Sequence, residues 1–209
     1  MRITIVLMLA LVLLLFVASA LVYARLPPMV ASHWDAAGRV NGYLPRFVGV
    51  FLFPLLTVVV LGILLLIPVI DPLKANIRKF LPAYDAFVIV FLAFMLYLHL
   101  LILAWNLGIG FNLLRWLIPA FAILFFAVGA LCERTKRNWT IGIRTPWTIS
   151  DDKVWARTHM LGGKLFKVAA VLVLLGMFFP AYAILFLLIP LILAGMVSVV
   201  YSYVIFQEH

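Results

Sequence analysis

Six stretches of the chain are each long and apolar enough to cross a bilayer, and nothing else in the sequence constrains the fold so strongly. A membrane helix needs about 20 predominantly apolar residues to cross about 30 Å of hydrocarbon. The stretches run from Ile3 to Ala24, Phe47 to Ile70, Ala83 to Leu107, Leu113 to Cys132, Leu161 to Phe179 and Ala181 to Phe206. Of 209 residues, 67% are apolar and 11% charged, far from the composition of a soluble domain, so the missing solvent is lipid. The expectation is an all-α membrane protein: a single domain, 1–209, forming a six-helix bundle in the plasma membrane. The first stretch has features of a signal peptide, with Arg2 before it and Ala18-Ser19-Ala20 near its end. Its uninterrupted length exceeds the signal-peptide core of about 7–15 residues, which favours a retained helix.

Charge placement gives an orientation. With the N-terminus in the cytoplasm, twelve Lys and Arg fall inside and four, Arg25, Arg39, Arg46 and Arg115, fall outside. That asymmetry predicts cytoplasmic N- and C-termini. The net charge of +9 then reflects anionic lipid and insertion topology, and no direct nucleic-acid contact is needed. Trp105 and Trp116 are expected at the outer interface, and Trp139, Trp147 and Trp155 at the inner one. Pro54, Pro68, Pro119 and Pro190 lie within spans, where each removes a backbone hydrogen bond and frees a carbonyl for a neighbour. A lone cysteine, Cys132, excludes an intramolecular disulfide.

Three connections are long enough to carry function: an outer loop at 25–46 and inner loops at 71–82 and 133–160. In the outer loop, Pro27-Pro28 enforces an extended exit from the first helix. Alternation from Met29 to Trp34, a turn from Asp35 to Gly38, and a second extended piece from Arg39 to Tyr43 predict a small hairpin. His33 and Asp35 are an imidazole and a carboxylate two residues apart, too few ligands for zinc. Binding through His33, Trp34 and Tyr43 suits the loop better.

In the first inner loop, Leu73, Ile77, Phe80 and Leu81 recur at helical spacing opposite Lys74, Arg78 and Lys79, which predicts an amphipathic segment on anionic lipid. The second, poor in helix formers and carrying Gly142 and Pro146, is expected to be ordered but non-helical. Ser150, followed by Asp151 and Asp152, reads as the start of the fifth long helix, before the membrane. On that helix Trp155, His159, Gly162 and Phe166 share a stripe, and Gly162-Gly163 permits close helix approach. Thr158 and His159 point about 100° apart and form no nucleophile–base pair. His159 is expected to bond a loop carbonyl near Arg144–Thr148, and Arg144 to clamp carbonyls or Asp151. Within the spans, His99 is the clear ionisable group and shares a face with Met95 and Asn106. Two arrangements follow: a polar cavity open to the outside and reaching His33, or a neutral histidine bonded between helices.

The outer elements LPP, HWD, G and NGY between Leu26 and Tyr43 resemble the short domain of unknown function behind the first helix of SdpI-type proteins. The run Asn138 to Thr148, with Val154-Trp155, Thr158-His159 and Gly162-Gly163, looks like that family's signature, and Asp71-Pro72 and Asn76-Ile77 resemble its other inner loop. The sequence departs from the pattern at Cys132-Glu133, where a Gly-Asn pair is expected. The resemblance implies a non-enzymatic integral membrane immunity protein against a secreted antimicrobial peptide toxin. It also implies a signal transducer that holds a small DNA-binding repressor at the membrane. By that resemblance, the toxin-facing set is His33, Trp34, Gly38, Gly42 and Tyr43, and the inner partner-facing set is Arg144, Pro146, Trp147, Trp155, Thr158 and His159. Position adds Asp35, His99 and Asn106 to the first set and Asn138 and Gly142 to the second. No cofactor or metal is expected. The competing readings are a small transporter, for which the spans offer almost no carboxylate, and an intramembrane metal-dependent enzyme using His33 and His99.

Overall fold

The computed structural model describes residues 2–35, 38–179 and 182–208. Six helices are long and apolar enough to span a membrane: α1 (Arg2–Val22), α2 (Arg46–Ile70), α4 (Leu81–Asn106), α5 (Leu113–Cys132), α7 (Asp152–Leu175) and α8 (Ala183–Gln207). Two short helices, α3 (Lys74–Arg78) and α6 (Pro146–Ser150), lie in the connections, and a 3-10 turn at Tyr23–Arg25 leads to β1 (Met29–Trp34) and β2 (Val40–Pro45). The six-helix bundle with a small antiparallel hairpin agrees with the sequence reading. Ala36 and Ala37 of the expected turn, and the expected start of the last span at Ala181, lie outside the described residues.

The helices pack as α1, α2 and α4 on one side and α5, α7 and α8 on the other, joined along α4 and α5. Apolar clusters form around Met8, Leu61, Tyr84 and Leu92 in the first group and around Ile118, Val173 and Leu187 in the second. Large side chains such as Leu13, Leu66, Ile123, Val171 and Ile192 remain exposed, which is stable only where lipid replaces water. The hairpin closes one end of the bundle. The connections carrying α3 and α6 close the other, where α1 begins and α8 ends: Thr4 Oγ1 donates to Asp85 (3.2 Å), and Arg157 pairs with Glu208 (3.7 Å).

Proline and its consequences are explicit in α2. Pro54 and Pro68 strand the carbonyls four residues earlier, those of Val50 and Leu64. Each is taken by a hydroxyl from a neighbouring helix: Ser19 Oγ of α1 donates to Val50 O (3.3 Å), and Tyr84 Oη of α4 donates to Leu64 O (2.8 Å). On the far side of the bundle, α5 and α7 meet at glycines. A Cβ on Gly129 would lie 2.6 Å from the Gly163 carbonyl oxygen, and Lys167 of α7 pairs with Glu133 at 2.7 Å just beyond. A Cβ on Gly162 would meet the Ile143 side chain of the loop first and Ser198 Oγ of α8 at 3.0 Å, so the expected close approach at Gly162-Gly163 involves different partners for the two glycines.

Three local expectations are corrected. Residues 146–150 form a helical turn, because Pro146 stands at its first position and Thr145 and Thr148 complete a capping box. Asp151, not Ser150, caps α7, its Oδ1 accepting from the amides of Lys153 (2.6 Å) and Val154 (2.9 Å). Ser150 is committed to the preceding turn, donating to Trp147 O. The 71–82 segment does not rest its apolar face on lipid, since Ile77 and Phe80 are buried in the protein core. Replacing Gly129 with Val should wedge α5 from α7 and lower stability by about 1–3 kcal/mol. Thermal unfolding in detergent measures this, and an unchanged midpoint would refute the contact.

Candidate functional site

The two ends of the bundle carry separate constellations. At the hairpin end, β1 pairs with β2, Ala31 opposite Tyr43, and the ladder is irregular on both sides of His33. The irregularity breaks the simple alternation expected from the sequence: Val30 and Ala31 are both buried. The far edge of β1 is held by Asn106 at the end of α4. Its Oδ1 accepts from Ala31 N (2.7 Å), while its Nδ2 donates to Ala31 O (3.1 Å) and Ile102 O (2.9 Å). A side-chain amide carries the same donor and acceptor as a peptide group, so Asn106 acts as one residue of a third strand.

The other hairpin residues divide into scaffold and surface. Asp35 accepts from the Arg39 amide (2.9 Å) and pairs with its guanidinium (3.0 Å). Gly38 adopts a positive φ of 75° that most side chains would not tolerate. Gly42 packs against the His33 Cβ, and the His33 Nδ1 donates to Asn41 Oδ1. Trp34 meets Trp105 edge to face at 5.7 Å, so it roots the hairpin on α4 instead of reaching outward. Tyr43, Met29 and Ile109 are at least half exposed. Met29, Tyr43, Trp105 and Ile109 line an open concavity of about 350 Å³.

His99 does not reach this surface. It is fully buried, its Nε2 is 2.8 Å from Ser19 Oγ, and its ring stacks on Phe53 at 5.5 Å. Because Ser19 gives its proton to Val50 O, its oxygen receives the Nε2 proton of His99. The interhelical bond is therefore the arrangement present, and the concavity at the hairpin end, which Asn106 lines, is lined by neither His99 nor His33. His33 and His99 do not converge, and no group of three or more His, Cys, Asp or Glu is placed to hold a metal among the described residues. The geometry gives the His33/His99 metalloenzyme reading no support.

At the opposite end, the loop from Arg134 to Ser150 is built around two buried side chains. Asn138 Oδ1 accepts from the amides of Thr140 (2.9 Å) and Ile141 (2.6 Å), and its Nδ2 donates to the carbonyls of Lys136 and Ile141. Asp71, at the end of α2, accepts from Leu73 N (2.7 Å), Trp139 N (3.0 Å) and Thr140 Oγ1 (2.7 Å). Asn76 Nδ2 donates to Arg137 O (2.9 Å), so α3 and the loop form one unit.

The loop then crosses α7 at Gly142, with φ of 121°, where a Cβ would collide with the His159 ring. His159 Nε2 accepts from the Ile143 amide at 2.8 Å, which requires the proton on Nδ1, and that proton goes to Trp155 O at 2.8 Å. The partner of His159 is thus a loop amide, not the expected carbonyl. Trp155 stacks on His159 at 4.0 Å and is 1% exposed, so it is core and not part of an aromatic belt. Arg144 clamps the Trp139 carbonyl (2.8 Å). Arg137 performs the remaining clamping, donating to Ile149 O (3.0 Å) and pairing with Asp152 (2.8 Å). Pro146 starts α6, Trp147 packs on Tyr203, and Thr158 Oγ1 is buried without a hydrogen-bond partner among the described residues. Trp139, 51% exposed, is the large apolar side chain that this unit displays.

Of the inner candidates, Asn138, Gly142, Arg144, Trp155 and His159 come together, but as scaffold. Asp71, Arg137 and Asn76 were missed as loop-organising residues. In the sequence Asp71 stands out only as half of the Asp71-Pro72 pair, because its partners in the 134–150 loop lie 68 and 69 positions away.

Fold and ends together define a multi-pass protein of the plasma membrane with one structured cap at each end. Residues 134–202 match the SdpI/YfhL protein family, and residues 10–58 match a domain of unknown function, DUF1648. The chain is 22% identical over 189 residues to the immunity protein SdpI of Bacillus subtilis, covering 90% of this chain and 88% of the relative. No solved structure matches. These matches bear out the SdpI-family resemblance read from the motifs. The first holds the signature loop with α7 and most of α8, and the second holds the hairpin with parts of α1 and α2.

Two variants test these anchors. Asp71→Ala strands the Leu73, Trp139 and Thr140 donors, each costing about 1–3 kcal/mol if left buried, so limited trypsin cleavage at Arg137 and Arg144 should accelerate several-fold. Unchanged cleavage would show that Asp71 does not hold the loop. Asn106→Ala should speed hydrogen exchange at the Ala31 amide by about tenfold, with amides elsewhere in α4 unaffected.

Proposed function

We propose that this chain is an immunity protein protecting its host cell from a secreted, membrane-active antimicrobial peptide. The observation that carries the proposal is the likeness to an immunity protein along 90% of the chain. In this reading the hairpin faces outward and both termini lie in the cytoplasm, as the concentration of basic residues at the signature-loop end favours. The exposed Met29, Tyr43 and Ile109 around the concavity supply an apolar and aromatic contact for the peptide. The hairpin's bonds to α4 hold that contact in shape before binding, which reduces the ordering cost of capture.

A second function belongs to the same proposal: the cytoplasmic end retains a small DNA-binding repressor at the membrane when toxin is present. Trp139 on its hydrogen-bonded loop, which also exposes Arg134 and Lys136, is the contact offered to such a partner. Coupling the ends requires two conformations that toxin and repressor bind with different affinities. Both α2 and α4 run from one cap to the other and provide the physical connection.

Expression in a sensitive host should raise tolerance to a membrane-active peptide, and Tyr43→Ala combined with Met29→Ala should reduce it at equal protein level. Unchanged tolerance across a panel of such peptides would count against immunity. An Arg39→Cys variant should be labelled on intact cells by an impermeant thiol reagent, whereas labelling only after lysis reverses the orientation. Pull-down should recover a DNA-binding regulator from the parent and not from Trp139→Ala. Recovery of none removes the signalling role and leaves immunity standing.

A further inference from the structure

The signature-loop end contains a second concavity, lined in part by α3. Between α1, α2 and α4 lies a crevice of about 390 Å³, with Met8, Leu65 and Val69 among its walls and Lys74, Arg78 and Asp85 among its charged lining. Lys74 and Arg78 stand four positions apart on α3, the spacing that puts two side chains on one face. Both are exposed, and neither forms an ion pair among the described residues. Asp85 is partly occupied by the hydroxyl of Thr4 at 3.2 Å, leaving two cations against one carboxylate. The cations follow the end of α2 at Ile70 by four and eight positions, which places them at headgroup depth while the apolar walls continue into the hydrocarbon layer.

A membrane-facing crevice with apolar walls and unpaired cations at its rim has the charge and polarity pattern of a lipid. We propose that it holds one anionic glycerophospholipid, with its phosphate between Lys74 and Arg78 and an acyl chain along Met8, Leu65 and Val69. A cationic or neutral peptide lacks the anion that the rim is built to receive, and a second copy of the chain would bring its own excess of positive charge to the same end.

Native mass spectrometry of the full chain in mild detergent, titrated with equimolar phosphatidylglycerol and phosphatidylcholine, tests this. The parent should retain phosphatidylglycerol preferentially. Lys74→Gln and Arg78→Gln should each lower that retention by about fivefold, and the double variant should lose the preference. Lys153→Gln, which removes an exposed cation elsewhere at the same end, should leave it intact. Leu65→Trp should reduce adducts of both lipids by filling the wall, with an unchanged unfolding midpoint showing that the bundle is preserved. Equal retention of the two lipids by the parent, an equal effect of Lys153→Gln, or a crevice shown by crosslinking to hold a peptide or a second copy would each overturn the proposal.

Discussion

Within hydrocarbon, water cannot satisfy a stranded peptide carbonyl, and the first half of the bundle is organised by that requirement. The two prolines of α2 would otherwise leave Val50 O and Leu64 O exposed to an apolar medium. Ser19 and Tyr84 answer them, one from each neighbouring helix, and in doing so fix α1 and α4 against α2. His99 shares that serine, because the hydroxyl that serves Val50 still has a lone pair to receive a proton from Nε2, 2.8 Å away. A residue type that usually marks chemistry inside a membrane here completes a chain of interhelical hydrogen bonds.

The caps obey a related logic at the membrane boundary. Irregular backbone carries donors and acceptors that must be paired wherever the chain folds back on itself. At one end Asn106 pairs both polar groups of Ala31. At the other, Asp71, Asn138 and His159 collect the amides of residues 139–143, a stretch ahead of α6 that has neither helix nor sheet to supply partners. Most conspicuous polar residues of the chain are consumed in this way, and the surfaces left for recognition are the aromatic and apolar ones. This leaves shape and apolar contact as the means of recognition at both caps.

Much of this was legible in the sequence, and the rest fails for identifiable reasons. The spans follow from hydrophobic length alone, and the hairpin from Pro-Pro, alternation and a Gly-containing turn. Interhelical capture of carbonyls freed by proline was expected in kind, but nothing local names Ser19 or Tyr84 as the donors. The α6 turn was hidden because Thr145-Pro146 resembles a loop unless the reciprocal bond with Thr148 is recognised. Trp155 reads as an interface residue by position, yet packing on His159 places it in the core. Asp71 is the largest omission, since its role is defined by a loop nearly seventy residues later and no periodicity connects them.

The pairing of Asn106 with Ala31 also sets a limit on stoichiometry. A two-stranded ribbon has two rims at which an extended polypeptide can dock by backbone pairing. One rim is already occupied by a side chain of the same molecule, which confines any such addition to the β2 rim. An incoming extended segment would therefore join as a single guest per bundle, and the ribbon cannot be threaded into a continuous multi-chain sheet from both sides.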